Sequence, residues 1–256
     1  MSITLVAFGE DIDAAGALVN LTAQADPHIT TSGDTIQVPE LNNIIAVAGG
    51  VASGGDGYAR LDSPTLERLN RLYIAPVNGN ADADVEPNSP GLVMDLRSHP
   101  RKLTTNESLS GLVESDTSAA AYQWILVWLS DGGVTPLPAG EIFTARATSS
   151  TTVTARQWSN GAIVFDEALE VGRYGIVGAR FVSATGIAAR FVLRNSPWRP
   201  GIIGVDTDSD QDNPIFRFGG LGIMGEFDSV QQPSVDMLCG SADSAADFYI
   251  DLIKLG

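Results

Sequence analysis

The chain has 256 residues, of which 44% are hydrophobic and only 18% are charged, and its formal net charge is −16 at pH 7. This acidic balance argues against a protein that wraps nucleic acid, because neutralising phosphates requires clustered lysines and arginines. The single cysteine, Cys239, excludes an intrachain disulfide and a cysteine-based metal site.

Two further compositional features concern the surface and the compartment. Only Lys102 and Lys254 are lysines among 15 cations, and depletion of lysine relative to arginine is typical of protein–protein interfaces. The start of the chain lacks the basic region of a signal peptide, and no apolar run approaches the ~20 residues of a membrane span. We therefore expect a soluble chain that is made in the cytoplasm. The shortage of lysine fits a surface largely covered by partners, and a GC-rich genome would give the same bias.

The first half reads as a series of short strands separated by turns. Segment 29–39 (ITTSGDTIQVP) predicts a strand, a turn at Ser32-Gly33-Asp34 and a second strand. The polar segment 78–90 predicts an exposed loop. The other predicted strands of this half are Ile3–Phe8, Asn43–Ala52, Gly91–Arg97 and Leu109–Val113.

One helix is predicted, over Ser63–Leu72. Ser63 is a suitable N-cap, Pro64 suits the first helical position, and Leu66, Leu69 and Leu72 form an apolar stripe. Glu67 and Arg71 are spaced to pair across one helical turn.

Residues 104–121 contain the best candidate linker, and an apolar run, Tyr122–Leu129, follows it. Segment Gly172–Arg194 then alternates with period two on both sides of Ser183-Ala184-Thr185-Gly186, which predicts a hairpin with Arg180, Arg190 and Arg194 on its outer face. The other predicted strands are Glu141–Ala147, Thr151–Trp158, Ala162–Phe165, Ile215–Phe227, Ser234–Leu238 and Phe248–Leu255.

Each half thus holds roughly six to eight short strands, close to the number in one jelly roll. We predict an all-β fold of two consecutive eight-stranded jelly-roll sandwiches, with one short helix inserted in the first half. The predicted domains are residues 1–115 and 116–256.

The chain carries no recognisable catalytic motif, whether a nucleophile elbow, a zinc-protease helix or a phosphate-binding loop. The two histidines, His28 and His99, lie in polar, proline-flanked turns. The glycine-rich segment 218–225 lies within a strand-like run, which favours close strand packing over phosphate binding. We expect a non-catalytic protein that requires no cofactor.

The strongest cluster of side chains that could bind a ligand is the loop Asp206–Asn213. Asp206, Asp208, Asp210 and Asp212 alternate along it, and carboxylates spaced in this way can converge on a hard cation such as calcium. The loop lacks the glycine and the final glutamate of an EF-hand, so a solvated acidic loop is the alternative. Asp82, Asp84 and Glu86 form a weaker copy.

Four tryptophans allow two interpretations. Trp124, Trp128, Trp158 and Trp198 could line a platform on which sugars stack, or they could be core and interface anchors. Trp198 lies in the stiff sequence Pro197-Trp198-Arg199-Pro200, which would suit a subunit contact.

The layout resembles the double jelly-roll major capsid proteins of tailless icosahedral viruses of bacteria or archaea that have an internal membrane. The resemblance covers the whole chain: two β-rich halves, a linker at about 113–121, one short helix in the first half, and the series of strands through RYGIVGARFVSATGIAARFVLR in the second. It implies a structural protein of the virion that forms trimeric, pseudo-hexagonal capsomers. The implied partners are further copies in the shell lattice, penton and spike proteins, and an internal lipid membrane, without sequence-specific binding of nucleic acid.

Two other functions remain open. One is a different virion protein, such as a spike or tail component or a single jelly roll with an insertion. The other is a non-catalytic β-sandwich that binds glycans, which would need an exposed aromatic platform.

Overall fold

The computed structural model of the protein describes residues 2–13, 15–52, 57–79, 92–115, 121–132, 136–207 and 212–256. Spatial contacts divide these residues into two units. The N-terminal unit contains the described residues between Leu5 and Gly132, and the C-terminal unit contains those from 136 onward together with residues 2–4. Strands dominate both units, so the predicted all-β class is confirmed.

The N-terminal unit is built from two sheets, each of six strands among its described residues. In chain order its elements are β1 (Ile3–Ile12), β2 (Leu18–Asn20), β3 (Thr31–Ser32), β4 (Thr35–Gln37), β5 (Asn43–Ala52), β6 (Tyr58–Asp62), α1 (Pro64–Glu67), β7 (Leu72–Ile74), β8 (Val77–Gly79), β9 (Met94–Asp95), β10 (Arg101–Lys102), β11 (Ser108–Glu114) and β12 (Ala121–Ser130).

The first sheet has the order β1-β12-β5-β10, and β8 and β9 also pair with β5. The second has the order β3-β4-β11-β6-β7, and β2 pairs with β11. The two sheets pack face to face, and glycines occur where they come close together. A Cβ on Gly111 of β11 would lie 3.0 Å from the Phe8 ring on β1, and one on Gly49 of β5 would lie 3.1 Å from Ala59 on β6. The unit is therefore a β-sandwich.

Strand β12 is the most apolar strand of the N-terminal unit. All ten of its residues are buried, as expected of a continuous apolar run in the middle of a sheet. Because β12 pairs between β1 and β5, a boundary between residues 115 and 116 would separate it from both partners. The division between the two units instead follows β12. Residues 116–120 of the candidate linker lie outside the described residues.

The predicted helix is real but much shorter than expected. Ser63 caps it, since its Oγ accepts a hydrogen bond from the Leu66 amide at 3.1 Å. The predicted extent to Leu72 is wrong: Asn70 and Arg71 have left-handed φ angles of 61° and 65°, and Leu72 begins β7. Arg71 pairs with Asp62 at 3.3 Å.

The C-terminal unit has nine strands among residues 136–207 and 212–256. They are β13 (Ile142–Ser149), β14 (Ser159–Ala162), β15 (Val164–Phe165), β16 (Arg173–Val182), β17 (Gly186–Val192), β18 (Gly201–Val205), β19 (Gly225–Asp228), β20 (Ser234–Cys239) and β21 (Ala246–Lys254). Hydrogen bonds connect them in the order β14-β20-β17-β18-β16-β21-β13-β15, and β19 pairs with β16. A 3₁₀ turn covers Pro214–Phe216.

The predicted hairpin between β16 and β17 is wrong, although both strands exist. Strand β18 lies between them, antiparallel to β17 and parallel to β16 at Phe181–Gly204 and Val182–Val205. Seven of the ten residues of β16 and six of the seven residues of β17 are buried, so the period-two pattern reflects packing on two faces rather than one solvated face. Arg190 in particular is only 1% exposed.

Two other predicted strands are largely replaced by turns. Segment 151–158 forms only an isolated bridge at Val153, because Arg156 has a φ of 65° and its amide bonds to the Cys239 carbonyl at 2.7 Å. Segment 215–227 is a strand only from Gly225, because Phe218, Gly219 and Gly222 all have positive φ. Within the described ranges no helix is long and apolar enough to cross a membrane.

Candidate functional site

The acidic loop is described only at its two ends. Asp206 accepts a hydrogen bond from the Thr207 hydroxyl at 3.1 Å. The Asp212 carboxylate contacts Arg217 at 2.5 Å and Arg180 at 3.6 Å. Asp208 and Asp210 lie outside the described residues, as do Asp82, Asp84 and Glu86 of the weaker copy. The described residues contain no group of three potential metal ligands, and the calcium site stays a prediction.

Asp212 belongs to an ion cluster centred on Asp251, which is fully buried on β21. Arg217 contacts the two Asp251 oxygens at 2.7 and 2.9 Å, and Thr144 donates to the carboxylate at 2.6 Å. The Phe218 amide adds a fourth hydrogen bond at 3.0 Å. Burial opposes the charge of Arg217, but Asp251 and Asp212 outweigh it, so the pKa of Arg217 is raised. The cluster holds segment 212–218 against the sheet.

A second buried cluster surrounds Asp236 on β20. Arg190 contacts its carboxylate at 2.8 Å, Arg199 pairs with the same oxygen, and Asn160 donates to the other oxygen at 2.9 Å. The Arg190 guanidinium also lies 4.2 Å from the centre of the Trp158 ring. This arginine, expected on an outer face, thus holds the interior of β17 and β20 together.

The tryptophans do not form a shared platform. Trp124 and Trp128 are fully buried in β12, while Trp158 lies against Arg190 and Trp198 is half-buried. A sugar platform of all four rings is therefore excluded, and Trp124 and Trp128 act as core residues.

The two histidines are exposed and lie in turns. The His28 amide donates to Asp26 at 2.8 Å, and the His99 amide donates to the Leu96 carbonyl at 3.0 Å. These are local turn contacts of the main chain.

A cleft of about 560 Å³ lies in the C-terminal unit and is here called the C-terminal cleft. It is lined by Phe143, Thr144, Ala145, Arg146, Asp166, Glu167, Ala168, Leu169, Glu170, Tyr174 and Lys254. Residues of β13, β16 and β21 form its base, and the segment that follows β15 forms its rim.

Two ion pairs hold this rim in place. Arg146 contacts Asp166 at 2.5 Å and Asp247 at 2.8 Å, and the hydrogen bond with Asp166 raises the pKa of Arg146. Lys254 contacts Glu170 at 2.8 Å, and this hydrogen bond lowers the pKa of Glu170. The rim is thus fixed at both ends.

Apolar side chains line and flank the cleft. The rings of Phe143 and Tyr174 meet edge to face at 6.0 Å, and Phe143 remains 41% exposed. Val171 and Val230, beside the rim, are 82% and 73% exposed. Hydrogen bonds between Gly172 and Ser229 bring the segments of these two valines together. Apolar side chains that are exposed together and rimmed by polar residues mark interaction surfaces on many proteins.

None of these contacts follows from the predicted elements, although the sequence carries part of the signal. Asp236 and Asp251 each interrupt an apolar strand, and a carboxylate in that setting requires a buried cation or several donors. The cleft has no such signal, since it combines residues from four separate segments of the chain.

Comparison of the chain with protein-family models, curated proteins and solved structures found no match.

Proposed function

We propose that the protein is a major capsid protein of an icosahedral virus, built from two consecutive jelly rolls and assembling as trimeric, pseudo-hexagonal capsomers. The observation that carries the proposal is a strand order that occurs twice in the chain.

In the N-terminal unit, eight of the twelve strands among the described residues define the strand order, and the short strands β2, β3, β8 and β9 pair beside them. Numbered from 1 to 8 in chain order the eight are β1, β4, β5, β6, β7, β10, β11 and β12. The first sheet then has the order 1-8-3-6 and the second the order 2-7-4-5. This is the order of a jelly roll, in which two Greek keys fold over each other.

The C-terminal unit repeats the same order. Without the short strand β15, which pairs with β13, its strands numbered from 1 to 8 are β13, β14, β16, β17, β18, β19, β20 and β21. Strands β13, β21, β16 and β19 again give 1-8-3-6, and β14, β20, β17 and β18 give 2-7-4-5. The two units share this order without an alignable sequence repeat, which supports tandem jelly rolls over a single one with an insertion.

The surface supports a role in assembly. Among the described residues, nine of the thirteen arginines form ion pairs within their own unit, which leaves few cations for phosphate groups and gives no support for binding nucleic acid. Exposed apolar residues lie beside the C-terminal cleft. The proposal places the protein in the virion, with penton, spike and membrane components as further partners, and without a catalytic role.

The native mass of the purified chain tests the proposal. We expect light scattering to give three times the chain mass of 26.9 kDa, or electron microscopy to show closed shells. A monomer under all conditions would contradict the proposal. A loss of mass on adding EDTA would indicate that a cation, such as one at the acidic loop, bridges subunits.

A further inference from the structure

We propose that a second cleft of the C-terminal unit binds a neutral hexopyranose residue, with the Trp198 indole as the surface on which the sugar ring stacks. This cleft, here called the Trp198 cleft, has a volume of about 510 Å³ and is lined mainly by the segment that follows β17, by β19 and by the residues just before β19. Its volume falls within the range of about 300–1,000 Å³ that is typical of small-molecule sites. The inference goes beyond the proposed capsid role, because it assigns a ligand that one unit of one chain can bind.

Trp198 lies in a segment whose main chain is held on both sides. Pro197 has a restricted φ angle, and the Ser196 hydroxyl accepts a hydrogen bond from the Trp198 amide at 3.1 Å. The next residue, Arg199, pairs with the almost fully buried Asp236 carboxylate. The Trp198 side chain itself is half-buried at the wall of the cleft. A ring held in this way binds a ligand with little loss of its own conformational freedom.

Strand β19 supplies the facing wall. A Cβ on Gly225 would overlap the Leu193 side chain, so this glycine lets the segment that follows β17 pack against β19. Glu226 and Asp228 come directly after it on the same strand and are both exposed. Arg173 on β16 pairs with Glu226. These three charged residues line the same cleft as Trp198.

The polar lining of the cleft suits hydroxyl groups. The carboxylates of Glu226 and Asp228 accept hydrogen bonds, the Arg173 guanidinium donates them, and the Asn195 amide can do both. A sugar hydroxyl both donates and accepts, and the C–H groups on one face of a hexopyranose can pack on the flat apolar surface of an indole. Two carboxylates against one guanidinium, on a chain of net charge −16, disfavour an anionic ligand. The lining therefore favours a neutral sugar.

A quaternary ammonium ion is the other ligand that would use an aromatic ring beside carboxylates. Such cations are recognised by cages of several aromatic rings. Among the described lining residues the aromatic ones are Trp198 and Phe227, and Phe227 is only 7% exposed. A quaternary ammonium ion also accepts no hydrogen bond from Arg173. The sugar therefore matches more of the cleft.

A glycan array followed by calorimetry tests the site. We expect the purified chain to bind neutral oligosaccharides of glucose, galactose or mannose in preference to their sialylated counterparts. Trp198→Ala should weaken this binding at least about tenfold, because the stacking surface is lost. The matched control is Phe143→Ala, which removes the exposed ring of the C-terminal cleft and should keep the wild-type affinity. Circular dichroism checks that each variant is folded.

The charge of the cleft gives a second measurement that a merely structural role of Trp198 would not affect. Glu226→Gln keeps the size of the side chain and removes one carboxylate, so binding of sialylated glycans should rise relative to that of neutral ones. Titration with free methyl hexosides gives the source of the sugar. Both outcomes support the site: binding of the free hexosides assigns it to a single residue, and binding of oligosaccharides alone assigns it to a longer chain.

Several results would overturn the sugar site. They are the absence of binding to any neutral glycan or methyl hexoside, an unchanged affinity in folded Trp198→Ala, and binding of choline in place of sugars. If folded Trp198→Ala instead loses the trimer mass, Trp198 is a subunit contact, which overturns the sugar site and supports the proposed assembly. A wild-type monomer that binds neutral sugars would overturn the capsid role and leave this site intact.

Discussion

Asp251 shows how a charged residue can be accommodated in an apolar strand. Its carboxylate accepts hydrogen bonds from Arg217, Thr144 and the Phe218 amide, so a fully buried anion has partners on both oxygens. The same contacts fix the turn that follows the 3₁₀ segment. The contacts that neutralise the Asp251 carboxylate are therefore the same contacts that hold this turn in place.

Replacing Asp251 with alanine should lower the free energy of unfolding by about 3–5 kcal/mol, because Arg217 would lose its main counter-charge in a buried setting. Urea denaturation measures the change. Asp247→Ala on the same strand is the control, since the exposed pair of Asp247 with Arg146 should contribute less than about 1 kcal/mol. Equal losses in the two variants would contradict the role of the buried pair.

Asp95 gives a prediction for pH. Its hydrogen bond from Arg97 holds its pKa below the ordinary value of 3.8. A depressed carboxyl pKa stabilises the folded state above that ordinary value, and this contribution is lost as the pH falls through the lower folded value. Asp95→Asn should therefore be less stable than wild type at neutral pH, by under about 1 kcal/mol for this exposed pair. The difference in melting temperature should disappear in strong acid, and a difference that is constant across pH would contradict the assignment.

At the scale of elements, the close packing around β16 requires a glycine at position 178. A Cβ on Gly178 would lie 2.6 Å from the Asp251 carboxylate and 2.7 Å from the Phe216 carbonyl, which is a main-chain atom with little freedom to move. Gly178→Ala should cost about 1–3 kcal/mol through overpacking. Gly175→Ala on the same strand is the control, because its nearest contacts are side-chain atoms at 3.2 Å or more. Similar melting temperatures for the two variants would show that the 3₁₀ turn at Phe216 can move to make room for the methyl group, which would contradict the prediction.

The sequence patterns predicted where strands lie better than they predicted which strands pair with each other. The apolar runs of β5 and β12 and the turn between β3 and β4 were identifiable because burial on both faces and turn chemistry are local properties. The hairpin prediction failed because a third strand, distant in sequence, entered between two neighbours. The helix prediction ran too long because the leucine stripe continued past two residues in the left-handed conformation. The cleft could not be predicted, since no local pattern brings its segments together.

At the scale of the whole molecule, the two units should respond separately to destabilisation. In Asp251→Ala, hydrogen exchange should quicken in β16 and β21, whose contacts surround the lost charge. Strand β12 should instead exchange at the rate of its partner β5, because it belongs to the N-terminal sandwich. If hydrogen exchange in β12 accelerates together with that in β21, the assignment of β12 to the N-terminal sandwich is wrong, and the boundary predicted at residue 115 is favoured.

Strand β18 has a mechanical consequence. It forms backbone hydrogen-bonded pairs with β17 on one side and with β16 on the other. The packing there is close, since a Cβ at Gly204 would overlap the carbonyl oxygen of Gly186. A force that separates β16 from β17 passes through both pairings of β18 in series, so only the weaker pairing has to break. The parallel pairing with β16 joins two residue pairs, against three in the pairing with β17. The C-terminal unit should therefore open first between β16 and β18.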